Sequence, residues 1–512
     1  MLVILLDLTL TLFIDMIITE KSTRKFNDEN FYVNEISTYF LLPFRFLKIN
    51  ESHELIVNDI GDFMITPIGT VKQIVNRTFS KNENTELYYD LISNFIISES
   101  EKPELLPVIE ARYRTKKSFL DNFTSLHIFV ITLRCEHTCH YCQVSRVTEN
   151  KGAFDMSFSD IDEGIKLMMQ SPNPNVTMEF QGGEALLAFD KIVYAVNSAN
   201  DQAKKFNKNI TFVVCTNLAP ITDEIIEFIK INNILVSTSL DGPEFIHNKN
   251  RRRPGNNSYE VTIEGINKCK NQLGQDRVSA LMTTTSLSLH YPKEIIDEYI
   301  KQGFSNIFLR PISPYGFAKY NPKKNHYFIE EFLEFYKQGL NYILELNKNG
   351  QYIVEDYALI ILKKIFTPFP VGYVDLQSPA GLINSVIVFN YDGYVYATDE
   401  ARMLAENKDY TFQLGKLGSN SYNEIFYGDK SLEISDIFTN ESLAGCSECA
   451  FQTYCGADPV LNHATQGDMY GFRPTNIFCK KNMEIIRYLF DLMIQDKNNE
   501  KIFKSWITGY NL

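Results

Sequence analysis

Between His127 and Leu309, short apolar runs alternate with amphipathic stretches, and this alternation restricts the fold more than any other feature of the chain. Candidate strands are His127–Thr132, Val176–Phe180, Ile210–Cys215, Ile234–Ser239, Val278–Thr284 and Asn306–Leu309. Helical patterns at Ile161–Gln170, Lys191–Lys205, Thr222–Ile231, Tyr259–Asn271 and Lys293–Lys301 separate them. Serial β/α units predict an α/β fold, a parallel sheet with right-handed crossovers. Six such units fit a curved, partial TIM-like (β/α)6 barrel, whose reactive residues sit on loops at the C-terminal ends of the strands.

The 512 residues are too many for one core. Residues 16–120 predict an N-terminal α+β domain. Phe44–Lys48, Glu54–Val57 and Phe63–Ile65 are strands about polar turns, and helical stretches follow near Val71–Phe79 and Glu86–Ile97. The α/β core takes 121–325. A helical bridge takes 326–370, with helices at Tyr327–Leu346 and Tyr352–Ile365. Residues 371–512 are irregular apart from one hairpin, Ser385–Phe389 and Tyr394–Ala397 about Asn390-Tyr391-Asp392-Gly393, and a terminal helix at Met483–Gln495. Residues 1–15 are apolar but lack a basic lead and carry Asp7 and Asp15, so no membrane segment is expected. They are read as a non-native extension or loose arm, with Met16 an alternative start. A net charge of −13 argues against a nucleic-acid partner, and the main basic run, Arg251-Arg252-Arg253, is read as a solvated loop.

The nine cysteines are clustered in the manner of a cytoplasmic metal-binding enzyme, not spread as a disulfide scaffold. Cys135, Cys139 and Cys142 follow the first strand directly as C-x3-C-x2-C. Three thiolates on one loop can hold three irons of a [4Fe–4S] cube and leave the fourth open to a ligand. The alternative is a zinc knuckle, with His137 or His140 as fourth ligand. Cys446, Cys449, Cys455 and Cys479 form a second group, whereas Cys215 and Cys269 are read as small buried apolar residues.

Polar residues recur at the predicted strand ends. The second strand runs into Gln181-Gly182-Gly183-Glu184. Paired glycines let backbone approach a ligand closely, and Glu184 can accept a hydrogen bond from a cationic amine. The alternative is a tight βα turn. The third strand ends in Thr216-Asn217, the fourth in Ser239-Leu240-Asp241-Gly242-Pro243.

The cysteine spacing, with Tyr141 before the last cysteine, resembles the signature of radical S-adenosylmethionine (SAM) enzymes. The resemblance implies a radical SAM barrel in which the open iron chelates the amino and carboxylate groups of SAM. One electron from the cluster then yields a 5′-deoxyadenosyl radical. A Gly-Gly-Glu-Pro stretch binds the SAM amino group in that family. Gly182, Gly183 and Glu184 match it, with Ala185 in place of proline. Thr216, Asn217, Ser239 and Asp241 match the residues toward the SAM ribose and carboxylate. The second cysteine group resembles the SPASM extension of peptide maturases, implying one auxiliary [4Fe–4S] cluster on Cys446, Cys449, Cys455 and Cys479. The ligand positions of a second auxiliary cluster hold Pro459, Ser378 and Thr398, so that cluster is expected to be missing. Zinc remains the alternative for the four-cysteine set. Asp399 matches a base of sulfatase maturases; its alternative is an Asx turn or a surface ion pair.

Leu41-Leu42-Pro43-Phe44-Arg45-Phe46, Gln143-Val144-Ser145-Arg146 and Tyr396–Arg402 are similar to the His-Xaa-Ser system maturase, type B. That resemblance implies hydrogen abstraction from a peptide precursor, with a reductant such as flavodoxin or ferredoxin. The N-terminal domain would hold a leader peptide by strand addition. A sulfatase-maturase-like formylglycine-forming enzyme and a non-enzymatic iron–sulfur or zinc regulatory protein are the alternatives.

Overall fold

A computed structural model describes residues 39–509 apart from 145, 148–149, 317, 319–324 and 436–437. The arm expected at 1–15 and the motif residue Ser145 lie outside the described residues. The described chain forms two compact units, residues 39–42 with 72–104, and residues 43–71 with 105–509. In the smaller unit, Phe40–Leu41 pairs antiparallel with Ile97–Ser98, and Asn84 caps the helix Thr85–Ser93.

The larger unit is built on an eight-stranded sheet. In chain order its strands are β1 (Leu126–Thr132), β2 (Asn175–Gly182), β3 (Asn209–Cys215), β4 (Leu235–Ser239), β5 (Val278–Leu281), β6 (Val386–Phe389), β7 (Tyr394–Tyr396) and β8 (Gln413–Lys416). Their spatial order is β5-β4-β3-β2-β1-β6-β7-β8, parallel from β5 to β6 and antiparallel beyond. β1 is buried on both faces from His127 to Thr132, as its unbroken apolar run requires in a parallel sheet. Ser157 and Thr222 cap the crossover helices Phe158–Gln170 and Asp223–Ile231, whose apolar stripes close on the sheet.

Two parts of the sheet differ from expectation. The sixth strand shrinks to Asn306–Ile307 and pairs with Val354–Glu355; among the described residues, the segment after it meets the segment after β5 at the isolated Thr284–Pro311 bridge. Pro311 has no N–H to extend a ladder there. The hairpin 385–397 is not isolated: β6 lies parallel to β1, in register Val386 to Leu126, so the C-terminal region continues the core sheet.

The strands Phe44–Lys48, His53–Asn58 and Phe63–Pro67 form the predicted antiparallel sheet but belong to the larger unit. The Phe63 ring stands edge-on to Phe490 at 5.0 Å, and Tyr454 Oη donates to Gly61 O at 2.9 Å. The region read as one domain, 16–120, is thus divided between the two units. The bridge helices are Ile329–Lys348 and Asp356–Phe366, and the terminal helix runs from Ile477 to Gln495 before another at Lys497–Thr508. No described helix is long and apolar enough to cross a membrane.

Candidate active site

The loop after β1 carries its three cysteines into a cavity of about 240 Å³ at the C-terminal ends of β1–β5. Cys135, Cys139 and Cys142 line one side. Gly182, Gly183, Thr216, Asn217 and Ser239, from the ends of β2, β3 and β4, line the other. A single cavity thus gathers residues that the sequence scatters over more than 100 positions, because each strand of a parallel sheet delivers its loop to the same edge.

Several local contacts fix the cysteine loop. Arg134 pairs with Asp155 through Nε to Oδ1 at 2.7 Å and Nη2 to Oδ2 at 2.8 Å, a fork-to-carboxylate pair that is nearly buried. Thr138 N donates to Arg252 O and His140 N to Asn250 O, so the segment 250–252 backs the loop. Tyr141 Oη donates to Asp241 Oδ2 at 2.8 Å and accepts from Arg251 Nη1 at 2.8 Å. Burial pushes the Cys139 thiol up to about 11, against the pull of Arg251. A metal must displace that proton to bind.

The paired glycines also meet a steric demand within the protein. Gly183 N donates to Thr132 O and Glu184 N to Arg134 O, both at 2.8 Å. A Cβ on Gly183 would lie 2.5 Å from both Leu133 O and Arg134 O, and one on Gly182 would collide with Thr132 O. The close approach is to the backbone of the cysteine loop itself.

Glu184 and Asp241 do not line the cavity. Glu184 is buried and accepts from Thr216 Oγ1 at 2.6 Å, Asn217 N at 2.7 Å and Leu186 N at 3.0 Å, tying the β2 and β3 ends together. Burial first, then Glu136, raises its pKa to about 7. Asp241 is buried beneath Tyr141. Asn217 Nδ2 reaches toward Cys135 Sγ at 3.9 Å and His137 Nδ1 at 3.0 Å. Asp399 lines the cavity, and its Oδ1 is paired with Arg402 Nε at 3.2 Å, an ion pair with a buried arginine and a partly buried carboxylate.

Several lining residues were missed or misread, Leu281 and Thr283 among them. Arg251, taken for part of a solvated run, turns inward to Tyr141 and the cavity. Cys215, taken for an apolar core residue, faces the cavity with its thiol 3.5 Å from Glu179 Oε1. Arg310 and Met403 also line it, and a charged residue closing a predicted strand was the available signal for Arg310. Cys269 is fully buried, as expected.

Cysteines on one zinc, with Zn–S near 2.3 Å, would hold their sulfurs roughly 3.8 Å apart. Among the described residues, neither the Cys135 loop nor the second group brings three sulfurs within 4.8 Å of one another. Cys135, Glu136 and His137 do bring one ligand atom each within that distance. The contact of His137 Nδ1 with Glu136 Oε1 at 2.9 Å accounts for this closeness. His137 Nε2 meets Ser258 Oγ at 2.8 Å and His140 Nδ1 meets Asn325 Oδ1 at 2.6 Å, so both rings are committed to protein partners.

Cys446, Cys449, Cys455 and Cys479 are partly buried free thiols near enough to perturb one another electrostatically. Asn476 caps the terminal helix and accepts from Cys479 N at 2.8 Å. Of the positions expected to lack ligands, Ser378 Oγ bonds Glu441, Thr398 Oγ1 caps the helix Asp399–Ala405, and Pro459 opens the helix Pro459–Gln466.

Residues 129–298 match the family model of the Radical SAM superfamily. A cysteine-type anaerobic sulfatase-maturating enzyme of Clostridium perfringens is 22% identical over 385 residues, covering 72% of this chain and 96% of the relative. Native anSMEcpe with bound AdoMet and Cp18Cys peptide matches with a TM-score of 0.58 at 19% identity, covering 73% of this chain and 99% of that one. Streptococcus suis SuiB bound to the precursor peptide SuiA matches with a TM-score of 0.50 at 12% identity, covering 86% and 99%. The chain has the radical SAM α/β fold, with a C-terminal extension.

Proposed function

We propose that this radical SAM protein is a maturase that abstracts a hydrogen atom from a side chain of a ribosomally made peptide. The observation that carries the reading is the meeting of Cys135, Cys139 and Cys142 with Gly182–Gly183, Thr216–Asn217 and Ser239 on one cavity. A [4Fe–4S] cluster with SAM, when bound there, supplies the 5′-deoxyadenosyl radical. The chain's part is to hold, orient and exclude water. Arg134–Asp155 and Arg251–Tyr141–Asp241 clamp the cysteine loop. Thr216, Asn217 and Ser239 offer polar groups toward the amino acid and ribose ends of a bound nucleoside. Asp399, steadied by Arg402 on Oδ1, is assigned as proton acceptor at the far wall. The four C-terminal cysteines are assigned to one auxiliary cluster.

The strand Phe44–Lys48 pairs on one side only among the described residues, which supports leader-peptide docking by strand addition. The peptide-bound states of anSMEcpe and SuiB support a peptide substrate. Within this reading, a precursor of the His-Xaa-Ser type is the narrower proposal. The near full-length match to the Clostridium relative favours a second reading, oxidation of a cysteine or serine in a sulfatase-like substrate. Reduced, iron-reconstituted protein incubated with SAM is expected to form 5′-deoxyadenosine, and its absence overturns both. A mass change on a His-Xaa-Ser peptide, against one on a sulfatase peptide, separates them.

A further inference from the structure

Arg310 lines the cavity of the cysteine loop and also a second chamber of about 90 Å³ beside it. That space would hold several waters, or the end of one side chain. Three carboxylates, Asp375, Glu400 and Asp458, face it together with two cations, Arg310 and Lys481. Arg310 is near enough to Glu400 and Asp375 to bias them, as Lys481 is to Asp375 and Asp458. Yet the side chains of Glu400, Arg310 and Lys481 make no hydrogen bond or ion pair among the described residues. The opposed charges sense one another across a gap.

Two further features point to an occupant. Tyr315 is 1% exposed and lines the chamber, with its hydroxyl close to all three acids and no hydrogen-bond partner among the described residues. The walls are aromatic: Phe308 stacks on Tyr357 at 5.6 Å, and Tyr373 stands edge-on to both. With all five groups ionised, one negative unit is unmatched, and an unmatched charge in an enclosed site is costly. Burial and mutual repulsion raise Glu400 to about 8 and Asp458 to about 7, so the empty chamber can restore the balance by holding a proton. An organic cation restores it as well, while Lys481 Nζ keeps its own place over the Tyr357 ring at 4.7 Å.

We propose that this chamber is a subsite for one basic side chain of the peptide substrate, an ammonium or guanidinium, seated next to the reaction cavity with Arg310 as the shared wall. The inference rests on the reading of the chain as a peptide-modifying enzyme and names the class of peptide. Titration calorimetry on the full chain without SAM tests it, using acetyl-Gly-Lys-Gly-amide against the same peptide acetylated on the lysine. The charged peptide is expected to bind at least about tenfold more tightly, with the preference lost in Glu400→Gln and Asp458→Asn and kept in Glu227→Gln, an exposed acid on the helix Asp223–Ile231. Tyr315→Phe, which keeps the ring, serves if the acid variants fail to fold, and it is expected to reduce the preference about threefold. Equal binding of the two peptides, or a preference unchanged in the folded variants, overturns the subsite. Formation of 5′-deoxyadenosine by the wild-type holoenzyme is scored separately. Its failure overturns the enzymatic reading, whereas its success without a charge preference overturns the subsite alone.

Discussion

Arg251 Nη1 donates to Tyr141 Oη at 2.8 Å, joining the cysteine loop to a residue 110 positions further along the chain. The same phenol donates to Asp241, so a cation and a carboxylate are balanced through one buried hydroxyl. Removing the cation leaves the buried Asp241 uncompensated. Arg251→Met is expected to cost about 3–5 kcal/mol of stability and Tyr141→Phe about 1–3 kcal/mol, read from urea-denaturation midpoints.

Metal content separates the two cysteine groups. Reconstituted wild-type protein is expected to carry about eight iron atoms per chain. Replacing Cys135, Cys139 and Cys142 together by alanine should leave about four, and so should replacing Cys446, Cys449, Cys455 and Cys479. Four irons and one zinc in the wild type would assign the second group to zinc.

The backbone contact behind the cysteine loop makes Gly183 a sensitive position. Gly183→Ala forces a Cβ against two carbonyl oxygens at 2.5 Å. About 1–3 kcal/mol of destabilisation is expected, with a fall in iron retained by the first group. Gly152→Ala, whose nearest neighbour would be 3.7 Å away, is the control and should retain both.

His127 lies wholly buried in β1 with its ring stacked near Phe389 at 6.2 Å, and burial lowers its pKa to about 3. The unfolded chain takes up a proton near pH 6.5, whereas the folded chain does so only near 3. Stability is therefore complete above about pH 6.5 and declines as pH falls toward 3, by about 2 kcal/mol at pH 5. Unfolding free energies of His127→Leu across this range should lack that part of the slope.

Phe46 is 54% exposed on the edge strand Phe44–Lys48. If a leader peptide adds to that edge, Phe46→Asp is expected to weaken precursor binding about tenfold and leave the denaturation midpoint in place. Point substitution is the suitable probe, because deleting the strands would also uncover Phe490 and Tyr454 of the C-terminal region.

The sequence disclosed the parts whose signals are local. The apolar period of β1–β5 marked a parallel sheet, and the cysteine spacing marked the loop after β1. Glu184 and Asp241 were legible as special residues, but their partners were not. Each is engaged by side chains or backbone from another strand end, and a linear pattern carries no information about which loops share an edge. Arg251 was misread for the same reason: three consecutive arginines look solvated until a distant tyrosine and aspartate supply a buried partner.

By itself the sequence determined the class of fold and the place of the cysteine loop after β1, because periodicity and spacing follow from neighbouring residues alone. Tertiary structure decided the rest. It joined β6 to β1, packed the strands of residues 44–67 in the larger unit, and set Asp375, Glu400 and Asp458 around one chamber with Arg310 and Lys481. The physical reason is that burial and charge balance depend on what lies across a gap, and the chain crosses those gaps over separations of tens to hundreds of residues.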